Sequence, residues 1–193
     1  MCQISIPIQI QSRFASLPPS LQQHIYRSRK IGAELAAIHN VDPRGVDIGI
    51  TAHDLARHIK PDKLLNLSIQ LGLSPNRVET YEPILLHGPV AAAWLKSDGY
   101  TDTQILDAVR YHSTGKTGMC ITGKIVFLAD KLDPCKISKN PLLADIKTLA
   151  KKDINQSLLG YLSIQAAELV NQGKMIHPES INFRKELIQH ITN

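Results

Sequence analysis

The amino-acid sequence predicts an all-helical protein. Apolar residues recur at intervals of three and four along most of the 193 residues, which is the period of amphipathic helices. Proline and glycine separate these stretches, and no pair of alternating runs joined by a tight turn indicates a β-hairpin. The length is typical of one domain. We therefore expect an N-terminal extension at residues 1–19 and one domain of about eight helices at residues 20–193.

The first predicted helix begins after two prolines, with Ser20 as its N-cap. His24 and Ile31 are two helical turns apart and share its inward face. Upstream, isoleucines alternate over residues 4–10, but Pro7 and the short length favour an extended arm at most.

Three further helices are predicted in the middle of the chain. One begins near Pro43 after the cap residue Asp42, and a short one covers residues 63–71. The third opens at His87 and runs through Leu95. This part of the chain is therefore expected to consist of short helices joined by tight loops.

The helical pattern continues to the end of the sequence. Thr101 begins a capping-box pattern ahead of a helix that reaches His112. The next helix covers residues 121–132. Beyond Pro141 we expect two amphipathic helices, separated near residues 173–178.

Composition limits the classes of function. The formal net charge of +5 suits a polyanionic partner, but aromatic residues make up only 5% and the basic residues are dispersed, which does not favour nucleic-acid binding. Cys2, Cys120 and Cys135 form no CxxC pair, so we expect reduced thiols in a cytoplasmic protein. No apolar run reaches the length of a membrane span.

Several polar residues occupy inward positions on the apolar faces. His24, His53 and His112 fall on such faces, Asp54 follows His53, and Asp130 ends an apolar run. A single inward histidine is more often a packed core residue than a ligand, but an unpaired buried carboxylate costs several kcal/mol. A shared cation accounts for the whole set, and imidazole with carboxylate suits iron, manganese, cobalt or zinc. The lack of thiolates disfavours a structural zinc site.

The order of these residues resembles the H…HD…D signature of the HD-domain superfamily of metal-dependent phosphohydrolases. His24, the pair His53-Asp54 and Asp130 carry the signature. The resemblance implies a specific architecture, namely an HD-domain helical bundle with a metal site in its core.

Two longer motifs are similar to those of one subfamily. The segments LHGPV at residues 86–90 and AVRYHSTGK at residues 108–116 resemble the YqeK-type enzymes, which are bacterial symmetrical diadenosine tetraphosphate hydrolases. LAD at residues 128–130 follows in the same order, and the resemblance covers roughly residues 20–170.

This resemblance implies a ligand set for two metal ions. Iron is the expected metal, with manganese or cobalt as substitutes. Asp54 is expected to bridge the ions, because a carboxylate has two oxygens, and two ions about 3.5–4 Å apart can activate water and stabilise a phosphoryl group. The implied ligands are His24, His53, Asp54, His87, His112 and Asp130.

The resemblance also implies a reaction, that of a symmetrical bis(5'-nucleosyl)-tetraphosphatase. Metal-activated water would attack an inner phosphorus of diadenosine tetraphosphate and give two ADP. Besides Asp54, the expected catalytic residues are Arg57, which stands where the family usually has lysine, and Lys116; both would contact phosphate. Arg110 is either a further phosphate contact or a solvated side chain.

Two other functions fit the same residues. One is an HD-domain phosphohydrolase acting on another nucleotide, and the other is a non-catalytic, nucleotide-binding metal sensor. Retention of all six implied ligands favours an enzyme. The expected partner is a nucleotide polyphosphate substrate, with neither nucleic acid nor membrane involved, and a homodimer is a possible assembly.

Overall fold

A computed structural model describes residues 6–192 and confirms the all-helical prediction. These residues form twelve α-helices and one 3-10 helix, Pro83–Leu86, and contain no β-strand. Cys2 and Ile4, which entered the predictions above, lie outside the described residues. The helices are α1 (Ile8–Ala15), α2 (Pro19–Ile38), α3 (Pro43–Ala52), α4 (Pro61–Gln70), α5 (Arg77–Tyr81), α6 (His87–Ser97), α7 (Thr103–Arg110), α8 (Ile121–Lys131), α9 (Pro134–Ile137), α10 (Leu142–Ala150), α11 (Ile154–Asn171) and α12 (Pro178–Thr192).

Proline and short polar side chains start several of these helices. α2 and α3 each begin with proline, whose fixed φ and missing N–H suit a first helical position. The Asp42 carboxylate accepts a hydrogen bond from the Arg44 N–H at 3.0 Å and caps α3 as predicted. The predicted cap Ser20 is wrong, because α2 already begins at Pro19.

The predicted start of α7 is also one residue too early. Asp102, not Thr101, is the N-cap, and its carboxylate accepts from the N–H groups of Gln104 at 3.0 Å and Ile105 at 3.2 Å. A carboxylate at this end also interacts favourably with the helix dipole.

The segment predicted as an extended arm is instead helical over Ile8–Ala15. A single strand without a partner leaves its backbone groups unpaired, whereas a helix pairs them internally. Ile6 and Ile10 are four residues apart and both buried in the core beside Leu17, while Ile8 is 65% exposed. The boundary between extension and domain at residue 20 stays a prediction.

The C-terminal region has three helices rather than the predicted two. α10 and α11 are separate because the chain turns at Lys151–Asp153, where Asp153 caps α11 by accepting from the Gln156 N–H at 3.0 Å. α1, α5 and α9 are the other helices that the sequence did not predict; α5 and α9 contain only 5 and 4 residues.

The core has two parts that meet at the middle of the bundle. α8 is buried from Ile125 to Ala129, and α2, α3 and α7 pack around it. The second part surrounds α6, whose residues Val90 and Leu95 are buried. Within residues 6–192, no helix combines the length and hydropathy needed to cross a bilayer.

Candidate metal centre

The six side chains predicted as metal ligands gather in one place between the two parts of the core. They come from five helices or the turns directly after them, and all are nearly or fully buried. His24 lies in α2, His53 and Asp54 directly follow α3, His87 begins α6, His112 lies just after α7, and Asp130 lies near the end of α8.

Asp54 occupies the middle of this group. Its Oδ1 lies 3.1 Å from Nε2 of His87 and 3.6 Å from Nε2 of His112. Its Oδ2 lies 3.5 Å from Nε2 of His53 and 3.7 Å from Nε2 of His24. The two oxygens of one carboxylate therefore face two different pairs of histidines.

Asp130 lies on one side of the group. Its Oδ1 is 3.0 Å from Nε2 of His24 and 3.7 Å from Nε2 of His53. Two overlapping sets of donor atoms result, and within each set the atoms lie within 4.8 Å of one another. The sets are His24, His53 and Asp130, and His53, Asp54 and His112.

Backbone carbonyls orient three of the four histidines. In each of the three, Nδ1 donates to the carbonyl oxygen three residues earlier, which leaves the Nε2 lone pair directed at the centre. The pairs are His53 with Ile50 (2.6 Å), His112 with Val109 (2.8 Å) and His87 with Ile84.

These lone pairs fit a divalent cation. Nε2 of His53 is fully buried and, among residues 6–192, has no hydrogen-bond partner. Nε2 of His87 and Nε2 of His112 face each other at 2.9 Å, although the other nitrogen of each ring already donates to the backbone. Two acceptors at this distance require a proton or a cation between them. Imidazole nitrogens with carboxylate oxygens are ligands for iron, manganese, cobalt or zinc.

Gly88 permits the close approach of His87 and His112. A Cβ atom at position 88 would lie 2.8 Å from the carbonyl oxygen of Arg110 and 2.9 Å from that of Val109. It would also lie 3.1 Å from Nδ1 of His112. The first turn of α6 can therefore lie against the end of α7 only because residue 88 has no side chain.

Charge is balanced within the buried centre. Burial alone would raise the pKa of Asp54, but the neighbouring His53 and contacts with His112 and His87 hold it well below its usual range. Burial lowers the pKa of His112 to about 3, so this ring is neutral at physiological pH, as metal ligation requires.

Asp130 is held ionised by two lysines. Burial alone would raise the pKa of Asp130, but Lys131 and Lys136 hold it well below its usual range. Lys131 Nζ lies 2.6 Å from Oδ2 of Asp130, and Lys136 Nζ contacts Oδ1. Both carboxylates of the centre are thus negatively charged and able to bind a cation.

Four of the side chains around the centre were given no role by the sequence. Asp133 is buried and contacts Nδ1 of His24, and Arg27 binds both oxygens of Asp133. Lys131 and Lys136 approach Asp130 from the end of α8 and from α9. Two signals in the sequence mark Asp133: Asp133-Pro134 follows LAD in the stretch that resembles the YqeK-type subfamily, and an aspartate before proline is typical of a helix N-cap.

The two predicted phosphate contacts lie outside this cluster. Arg57 is exposed in the turn after Asp54. Lys116 is half-buried, with Nζ 2.7 Å from the carboxylate of Asp107. In residues 6–192, neither makes a hydrogen bond or ion pair to the six clustered side chains. The guanidinium of Arg110 lies over the ring of Tyr111, 5.4 Å from its centroid.

The fold and the donor set define an all-helical protein whose buried His/Asp centre can hold a divalent metal. The chain belongs to the HD domain family, whose model matches residues 21–135. It is an enzyme of the HD-domain phosphohydrolase class, and the predicted resemblance is confirmed.

Three curated relatives are named "Bis(5'-nucleosyl)-tetraphosphatase, symmetrical". The Staphylococcus aureus protein is 31% identical over 135 residues, covering 69% of this chain and 68% of its own. The Halalkalibacterium halodurans protein is 27% identical over 175 residues, covering 88% of this chain and 92% of its own. The Bacillus subtilis protein is 28% identical over 148 residues, covering 76% of this chain and 78% of its own.

A solved structure shares the fold. It is described as a predicted HD superfamily hydrolase involved in NAD metabolism from Clostridium acetobutylicum. The TM-score is 0.86, with 94% of this chain and 96% of the other covered, at 23% sequence identity. This similarity shows that the two proteins share a fold.

Proposed function

We propose that this protein hydrolyses diadenosine tetraphosphate symmetrically to two ADP. The observation that carries the proposal is the position of Asp54, whose two oxygens face two different pairs of histidines, as expected of a carboxylate that bridges two ions. The names of the three relatives above support this choice of substrate.

Six side chains would hold the metal, with iron as the first choice and manganese or cobalt as substitutes. When bound, such a centre supplies Lewis acidity and lowers the pKa of water. The protein orients the ligands beforehand, since carbonyl groups hold the rings of three histidines and Asp133 holds His24. The six are His24, His53, Asp54, His87, His112 and Asp130.

The reaction is a hydrolysis at the centre of the tetraphosphate chain. The oxygen of water bonds to one inner phosphorus, and the bond from that phosphorus to the central bridging oxygen breaks. Each half then leaves as ADP. Arg57 and Lys116 supply positive charge to the phosphates; the exposed position of Arg57 allows it to reach a substrate arriving from solvent.

An anaerobic assay with iron(II) and diadenosine tetraphosphate, with products separated by chromatography, tests the proposal. ADP as sole product is the expected result. AMP together with ATP would contradict the symmetrical cleavage. No turnover by protein shown to contain metal would overturn the proposal; a panel of nucleotides would then separate a different substrate from a non-catalytic metal sensor.

The assembly and the partners stay predictions. We expect no binding to nucleic acid or membranes, and a homodimer is a possible assembly. Sedimentation of the metal-loaded protein measures the assembly directly.

A further inference from the structure

A cavity of about 120 Å³ lies between the 3-10 helix and the C-terminal helices. The loop after α7 forms its floor, and α11 forms its far wall. Five of its twelve lining residues are apolar and seven are polar or charged, but most of the lining surface is apolar. The apolar residues are Val78, Ile84, Leu85, Leu169 and Met175.

The cavity shares a wall with the metal centre. Ser113 lines the cavity, and its hydroxyl lies 3.1 Å from Nε2 of His112. Ile84 also lines it, and the carbonyl oxygen of Ile84 accepts the hydrogen bond from Nδ1 of His87. Two residues of the cavity lining thus contact side chains of the centre, so the cavity and the centre are adjacent.

The lining selects a neutral and largely apolar ligand. Lys174 contributes an ammonium group to the wall, but Glu82 neutralises it at 3.1 Å. His177 is engaged by Asn76, whose Nδ2 lies 2.9 Å from its Nε2. With its positive charge already paired, the cavity is poorly suited to phosphate. A largely apolar surface that also carries polar groups, here including the amide of Gln165 and the hydroxyl of Ser113, is typical of pockets for small heterocycles.

We propose that this cavity binds one adenine base of the substrate while the phosphate chain extends to the metal centre. The inference rests on the proposed function, because it takes a nucleoside polyphosphate as the ligand. A base held at a fixed distance from the centre determines which phosphorus reaches it. One such cavity is enough for symmetrical cleavage, because the second phosphorus from either end of the tetraphosphate chain is an inner phosphorus.

Filling the cavity tests the proposal. Leu169→Trp places a large ring in the cavity wall, and Val170→Trp is the matched control, because the neighbouring Val170 is 64% exposed on the same helix. We expect Leu169→Trp to raise KM for diadenosine tetraphosphate at least about tenfold, with unchanged metal content. We expect Val170→Trp to behave like the wild type.

The dissociation constant for ADP, measured by equilibrium dialysis of metal-loaded protein, separates this inference from the proposed function. Weaker ADP binding in Leu169→Trp with unchanged pyrophosphate binding supports the cavity as the base site, even for a protein that does not hydrolyse the dinucleotide. Unchanged ADP binding and KM, or an equal effect of Val170→Trp, would overturn it. If Leu169→Trp does not fold, Gln165→Ala replaces it, with the same readouts and the same expected direction.

Discussion

The carboxylate of Asp133 holds the imidazole of His24, with Oδ2 of Asp133 2.5 Å from Nδ1 of His24. Arg27 in turn binds both oxygens of Asp133 at 2.8 and 2.9 Å. Burial alone would raise the pKa of Asp133, but Arg27 and His24 lower it to about 2. The ionised carboxylate accepts a hydrogen bond from Nδ1 of His24, so the lone pair of Nε2 is available to a metal.

Asp133→Asn is expected to weaken metal binding about 10–100-fold, because the neutral amide orients His24 less firmly and makes it a weaker ligand. A titration against a competing chelator measures the affinity. Asp98→Asn is the matched control, since Asp98 is also bound by an arginine, Arg13 at 3.0 Å, but lies at the far end of α6 from His87. Equal affinities in wild type and Asp133→Asn would show that Asp133 does not position the ligand.

His53→Ala and Asp54→Ala are each expected to lower metal content and reduce the rate by at least about 10²-fold. His53 supplies a fully buried nitrogen without another partner, and Asp54 faces four histidines. Metal analysis and the ADP assay are run on the same samples. His58→Ala, an exposed histidine five residues further on, is the control. Full metal and full rate in either variant would contradict the site assignment.

Arg57→Ala and Lys116→Ala are each expected to raise KM about tenfold, which corresponds to about 1.4 kcal/mol, with metal content unchanged. Both residues are positively charged and, in the described part of the chain, make no hydrogen bond or ion pair to the six clustered side chains, so their removal should leave the metal in place. Steady-state kinetics provide the measurement, and Lys60→Ala, another exposed cation, is the control. A residue whose removal leaves both KM and kcat unchanged has no phosphate contact.

Gly88→Ala is expected to destabilise the protein by about 1–3 kcal/mol and to lower its metal content. The new Cβ would lie 2.8 and 2.9 Å from two backbone oxygens of α7, so α6 must move and separate His87 from His112. Gly45→Ala is the control, because a Cβ there meets only ordinary contacts, at 3.5 Å from Thr122 or farther. Thermal unfolding should show a lower midpoint for Gly88→Ala and an equal or higher one for Gly45→Ala.

The ligand cluster could be predicted because it breaks the helical pattern. The helical period of three and four predicts apolar residues at the positions of His24, His112 and Asp130. Polar groups buried there need a common partner. His87 has no such pattern and was found through the resemblance of its motif. The structure brings all of them together.

The residues around the ligands could not be predicted in the same way. Asp133 and Lys136 reach the centre because the chain turns at Pro134 into α9, a helix of only 4 residues that has no apolar period of its own. The isoleucines at residues 6, 8 and 10 alternate with period two, but Ile6 and Ile10 also share one face of a helix, and Ile8 is exposed. Only packing against the core decides between these readings.

Glu79 gives a test of acid stability outside the metal centre. Its Oε1 lies 3.6 Å from Nε2 of His177, and its Oε2 accepts from the Asn76 N–H at 2.9 Å. Burial alone would raise the pKa of Glu79, but His177, this hydrogen bond and the charge of Arg110 lower it below 4.5. A lowered pKa in the folded state means that the contribution to stability is present above about pH 4.5 and is lost as the pH falls further.

Glu79→Gln removes the charge while glutamine can still complete the capping box at the start of α5. We expect this variant to be less stable than the wild type at neutral pH, with a difference that shrinks as the pH falls below 4.5. Thermal midpoints measured across this range provide the test. Glu34→Gln is the control, because Glu34 forms an exposed ion pair with Lys151 that contributes little. A difference in thermal midpoint that is the same at every pH would show that the charge of Glu79 is not the cause. An ionised carboxylate stops contributing to stability once it is protonated in both the folded and the unfolded state.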